Sequence, residues 1–196
     1  TKEQQKKRNS MKTKLILVFL LTSNLSQAQI FEKKAMSVQV GYGLSTPFYS
    51  DEEIVNDGFF LQGEYVLIIS SWVEIRPYAG LIVTRSNGKD LNGYPTDEKA
   101  ETKAFIIGGK ARLILPIPYV APYVEFGLGS SIGKFETFTA YTDVKKSGVL
   151  YHIPISVGLK LGQKKGIDLG FSYIFQPTVE QFSGAFAFGI TIPLKS

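Results

Sequence analysis

The chain has 196 residues, is 44% hydrophobic and 13% aromatic, and contains one histidine and no cysteine. A disulfide framework, a cysteine-based metal site, a cysteine nucleophile and a histidine-rich relay are therefore excluded. The net charge of +5 lies in residues 1–28, which carry Lys2, Lys6, Lys7, Arg8, Lys12 and Lys14 against Glu3; 16 basic and 16 acidic residues follow. A nucleic-acid partner, which demands a basic surface, loses its support.

Residues 1–10, TKEQQKKRNS, read as a polar extension upstream of Met11. Residues 11–28 read as a secretory signal peptide. Lys12 and Lys14 supply the positive start, Leu15 to Leu21 the apolar core, and Ser26-Gln27-Ala28 the small residues before cleavage. That core is too short for a bilayer span, which takes about 20 residues. The remaining domain, 29–196, contains no long apolar run and no sustained helical period.

It alternates instead. The first strand, about 36–46, sets Val38, Val40, Tyr42 and Leu44 against Gln39, Gly41, Gly43 and Ser45. The second, about 58–68, sets Leu61, Tyr65 and Leu67 against Gln62 and Glu64. The third, about 71–84, sets Val73, Ile75, Leu81 and Val83 against Glu74, Arg76, Tyr78 and Gly80. The fourth, about 102–115, sets Phe105, Ile107, Ala111 and Leu113 against Ala104, Gly108, Lys110 and Arg112. The fifth, about 119–135, sets Val124, Phe126, Leu128 and Ile132 against Tyr123, Glu125, Gly127 and Gly129. The sixth, about 149–161, sets Tyr151, Ile155, Val157 and Leu159 against His152, Ser156, Gly158 and Lys160. The seventh, about 166–176, sets Leu169, Phe171 and Tyr173 against Asp168, Gly170 and Ser172, and the eighth, about 183–193, sets Phe186, Phe188 and Ile190 against Ala185, Ala187 and Gly189.

The links alternate too. Long ones span 47–57, 85–101 and 136–148, with 177–182 at the same end; tight ones fall at 69–70, 116–118 and 163–165. Eight strands, an even count with long links at one end, predict an all-β, antiparallel up-and-down transmembrane β-barrel. Its greasy face meets lipid, because only a closed sheet satisfies its backbone in hydrocarbon. The other face turns inward as a polar, side-chain-filled interior, since an eight-stranded barrel is narrow. Four acids (Glu64, Glu74, Glu125, Asp168) meet four bases (Arg76, Lys110, Arg112, Lys160), with His152 among them as an interior charge network. Gly41, Gly108, Gly127, Gly129, Gly158 and Gly170 leave room for those long side chains. Candidates for interfacial aromatic girdles are Tyr42, Tyr65, Trp72, Tyr78, Tyr119, Tyr151, Tyr173 and Phe175, although parity turns Tyr78 inward.

From Val38 to Pro193 the chain resembles the small eight-stranded bacterial outer-membrane β-barrel family, most of all its Bacteroidetes versions. The carriers are Ser26-Gln27-Ala28-Gln29, Val38-Gln39-Val40-Gly41-Tyr42-Gly43, Arg76-Pro77-Tyr78-Ala79-Gly80 and Pro122-Tyr123-Val124-Glu125-Phe126-Gly127-Leu128-Gly129. The resemblance implies export through the periplasm, the bacterial outer membrane, and contact with membrane lipid and lipopolysaccharide. It also implies the barrel assembly machinery as a partner. Phe186 and Phe188 stand in for the terminal aromatic of the family, where this chain reads Ile192-Pro193-Leu194-Lys195-Ser196.

Chemistry is sparse. His152, Ser156 and Glu125 are the residue types of a hydrolase triad, but all three sit on the inward face, away from a lipid substrate. The acids Asp51, Glu52, Glu53 and Asp57, and Asp97, Glu98 and Glu101, lack calcium-loop spacing. No cofactor, metal or catalytic residue is expected. The reading is a monomeric, non-enzymatic barrel, structural or a minor conduit, whose outer loops bind an unknown partner. Its alternatives are a lipid-modifying outer-membrane hydrolase and a secreted soluble barrel with the aliphatic face around a ligand.

Overall fold

The computed structural model describes residues 33–194; the upstream extension, the signal and residues 29–32 lie outside them. Eight strands follow one another: β1 Lys33–Pro47, β2 Asn56–Ser70, β3 Val73–Arg85, β4 Lys99–Ile114, β5 Val120–Phe138, β6 Asp143–Leu161, β7 Ile167–Gln176 and β8 Gln181–Pro193. Each pairs antiparallel with its neighbours in sequence, and β8 pairs with β1 from Ala35↔Pro193 to Pro47↔Gln181, closing the barrel. Closure leaves the sheet as a whole without the two free edges that an open one exposes.

The period-two pattern decides the faces. Val157 is 52% exposed and Phe188 46%, whereas Arg76 and Arg112 are 0%. Val40, Leu61, Leu81, Phe105, Val124 and Ile190 continue the outward band. A wall of this kind is suited to hydrocarbon, with all strands at or above the roughly 9–11 residues a tilted crossing requires. Tyr42, Tyr65, Trp72, Tyr119 and Tyr151 stand exposed on it. Tyr173 and Phe175 are half-buried, Phe175 stacked on Phe48 at 5.5 Å, and Tyr78 is interior, not part of a girdle.

Two expectations change. The third outer link shrinks from 136–148 to 139–142, because β5 and β6 stay paired up to Phe138↔Asp143 and rise together as a long hairpin. The fourth link, 177–180, is a single 3-10 turn, Pro177–Val179. The long links are therefore 48–55 and 86–98, opposite the tight ones at 71–72, 115–119 and 162–166. The interior also differs from an all-polar filling. Its loop-side half holds an apolar cluster of Phe60, Ile82, Ile106, Phe135, Ile174 and Val179.

Candidate functional site

Positions near the tight-link ends of β2 to β7 converge in the lumen. Glu64 (β2) receives Nε of Arg76 (β3) at 2.6 Å and Nζ of Lys110 (β4) at 2.7 Å. Lys110 also reaches Glu125 (β5) at 2.8 Å, and Glu125 accepts from Nε of Arg112 (β4) at 2.6 Å. Arg112 continues to Asp168 (β7), while Glu74 (β3) accepts from Arg76 at 2.7 Å and from Lys160 (β6) at 2.5 Å. Gln62 and Thr191 complete the shell, donating to Glu64 at 2.5 Å and to Asp168 at 2.8 Å. All eight ions are buried. Such a cluster is tolerable in low dielectric because every charge has opposite neighbours; removing one partner costs about 3–5 kcal/mol.

Two tyrosines on the inward parity bracket this cluster, Tyr123 on its tight-link side and Tyr78 on its loop side. The Arg112 guanidinium lies 3.6 Å from the centre of the Tyr123 ring, and Lys110 Nζ 5.4 Å from that of Tyr78. Of the glycines expected to make room for the ions, Gly108, Gly129, Gly158 and Gly170 make room for these rings instead, while Gly41 and Gly127 lie against the backbone of the neighbouring strand. A Cβ at Gly129 would collide with the Tyr78 hydroxyl and His152 Nε2, and one at Gly158 would meet the Tyr123 hydroxyl at 2.5 Å.

His152 is not in the ion cluster. Its Nε2 lies 2.5 Å from the Tyr78 hydroxyl and its Nδ1 2.7 Å from Ser131 Oγ, which also accepts from Gln176 at 3.1 Å. Ser156 pairs with Ser172 at 3.0 Å, and Glu125 is taken up by Lys110 and Arg112. His152, Ser156 and Glu125 are thus held in three separate sets of bonds. The histidine belongs to the boundary between two fillings: ions toward the tight links, apolar side chains toward the loops.

Above the apolar cluster runs a belt of amides and hydroxyls. Gln181 donates to Thr102 Oγ1 at 2.5 Å, Thr102 pairs with Ser183 at 2.9 Å, Ser45 with Thr84 at 2.6 Å, and Thr137 donates to the Val179 carbonyl at 2.7 Å. The loops then tie across the mouth. Val179 and Ile54 are buried, Leu91 N–H donates to the Glu53 carbonyl at 3.0 Å, and Glu98 accepts from Ser50 Oγ and from Ala140 N–H, the latter at 2.8 Å. The Tyr141 hydroxyl donates to Asp51 at 2.6 Å, and that bond holds it above the ordinary tyrosine range. The belt and the buried loop residues carried no sequence signal beyond parity, since serine, threonine and glutamine on an inward face look like any polar filling.

No known protein family and no curated protein matches the chain. Solved structures do. Neisserial surface protein A superposes with a TM-score of 0.58 at 12% identity, over 82% of this chain and 97% of that one. Ail, the attachment invasion locus protein of Yersinia pestis, is similar at 17% identity and TM-score 0.45 over 82% and 98%, and the N-terminal β-barrel domain of Pseudomonas aeruginosa OprF at 12% and 0.46 over 80% and 97%. With the closed strand order β1 to β8, the likeness to the neisserial protein gives this chain the fold of the small eight-stranded outer-membrane barrels.

Proposed function

We propose that this chain is a non-enzymatic, monomeric barrel of the bacterial outer membrane, structural rather than conducting, with the 48–55 and 86–98 loops outside. In this reading residues 11–28 are a signal removed on export, 1–10 an upstream extension and 29–196 the inserted domain, of the Bacteroidetes-like type. Membrane lipid, lipopolysaccharide and the assembly machinery are its surroundings. The carrying observation is the inversion of faces: eight ions paired in the interior and an apolar band on the outside. A soluble ligand-binding barrel has the reverse arrangement. The stacked ion cluster, apolar cluster and tied loops also support a filled lumen, against the minor-conduit version.

Envelope fractionation with gel migration before and after boiling tests the placement. The expected result is sedimentation with the outer membrane and a fast-migrating unboiled band; a mature protein that stays in solution without detergent would sink it. Planar-bilayer recording tests the filling, with no conductance steps expected. Steps that survive purification would restore the conduit.

A further inference from the structure

We propose that the outer wall of β4, β5 and β6, just above the apolar band, carries a site for the phosphate of an outer-leaflet lipid headgroup. The proposal rests on the orientation given under Proposed function. The register stacks three outward rows there. The lowest is apolar, Phe105↔Ile132↔Val149; the next is Lys103↔Lys134↔Ser147; the third is Glu101↔Glu136↔Lys145. Lysines directly opposite one another on neighbouring strands repel. The carboxylates of the third row relieve only part of this. Glu136 is engaged by Lys99 at 2.8 Å and Lys145 at 3.2 Å, and Glu101 by Lys103 at 3.1 Å. Lys134 has no carboxylate within ion-pair distance among the described residues. A hollow of about 310 Å³ opens at this place, lined by Lys103, Lys134, Lys145, Lys146 and Ser147, with the ion-paired carboxylates Glu101 and Glu136 on its loop side. The row nearest the lipid thus lacks an anion where headgroups would lie, while Phe105, Ile132 and Val149 directly beneath offer a wall for acyl chains. A phosphorylated lipid matches both halves: phosphate oxygens accept from Lys103, Lys134 and the Ser147 hydroxyl, and its chains descend along the apolar row.

The test uses the barrel in phosphatidylcholine nanodiscs containing a small fraction of bisphosphorylated lipid A or of the same lipid with its phosphates removed. Lipid retained on the released barrel is counted by native mass spectrometry. Preference for the phosphorylated form by about tenfold is expected, the size of one good charge-assisted contact. The Lys103→Gln/Lys134→Gln variant should lose that preference, and Lys164→Gln/Lys165→Gln, at the opposite end, should keep it. Glu101→Gln, which releases Lys103 from its carboxylate, should raise retention. Equal retention of the two lipids, an unchanged double variant, or no rise in Glu101→Gln would overturn the site. Retention abolished by millimolar inorganic phosphate would assign the lysines to the free anion and overturn the lipid. Boiled and unboiled gel migration accompanies every sample. A barrel that inserts but shows no lipid preference refutes the site alone, and one that never inserts refutes the membrane reading as well.

Discussion

The two halves of the lumen solve one problem by opposite means. Toward the tight links the space is filled by long charged side chains paired with one another, with Tyr123 on their tight-link side and Tyr78 on their loop side. Toward the loops it is filled by Phe60, Ile82, Ile106, Phe135 and Ile174, topped by hydroxyl and amide pairs. An ion cluster is satisfied only as a set, so it tolerates removal of a member poorly. An apolar cluster loses contacts in proportion to the volume removed. The first half specifies which strands sit beside which, since six of the eight strands contribute an ion; the second adapts to the loops that close it.

The largest effect should come from orphaning a charge. Arg112→Ala strips Glu125 and Asp168 of a shared partner and exposes the Tyr123 face. We expect a loss of about 4 kcal/mol in reversible unfolding from detergent micelles or vesicles. The same half should show strong coupling. Arg112→Ala with Asp168→Ala should fall short of the sum of the singles by about 1 kcal/mol or more; strict additivity would mean that the ions do not act as one set. Arg112→Lys should not restore the loss fully, because an ammonium lacks the planar fork that stacks on Tyr123 and reaches two carboxylates.

In the other half, Ile106→Ala should cost about 3 kcal/mol from lost transfer energy and an unfilled cavity. Paired with Phe60→Ala, the comparison sharpens: a volume-governed region shows costs that follow the atoms deleted, and Ile106→Val should cost only about 1 kcal/mol. If Ile106→Ala cost as much as Arg112→Ala and coupled as strongly, the two halves would not differ in kind.

The ion set was legible in the sequence because charge on the minority parity of a strand has few bland explanations. Glu64, Glu74, Arg76, Lys110, Arg112, Glu125, Lys160 and Asp168 announced themselves residue by residue, and register then brought them together. His152 was less legible: parity put it inside, but its height along β6 places it with Ser131 and Tyr78, beyond the ions. The apolar cluster was hidden by the same rule that revealed the barrel. Phe60 and Ile106 adjoin outward apolar residues, Phe59 with Leu61 and Phe105 with Ile107, so the strict alternation fails there and the inward member is lost in a greasy run. Loop length was misjudged at 136–148, where Lys145, Lys146, Ser147 and Gly148 read as a connection but continue the β6 ladder opposite β5.

The smallest effect lies where the loops meet. Tyr141 and Asp51 join the third link to the first through one exposed hydrogen bond. Because that bond keeps the phenol protonated, the folded pKa sits above the unfolded one, so the contribution is fully present below about pH 10 and disappears as pH rises through the raised value. Amide exchange at Ala140 and Tyr141 should accelerate above that pH in the intact protein. Tyr141→Phe should already show the faster exchange at neutral pH, with the boiled and unboiled gel bands unmoved. The loop-side filling beneath, anchored by Val179 and Thr137, does not depend on this bond. Exchange that spread from Ala140 to Thr137 and Gln181 in Tyr141→Phe would show instead that the mouth and the apolar half unfold as one unit.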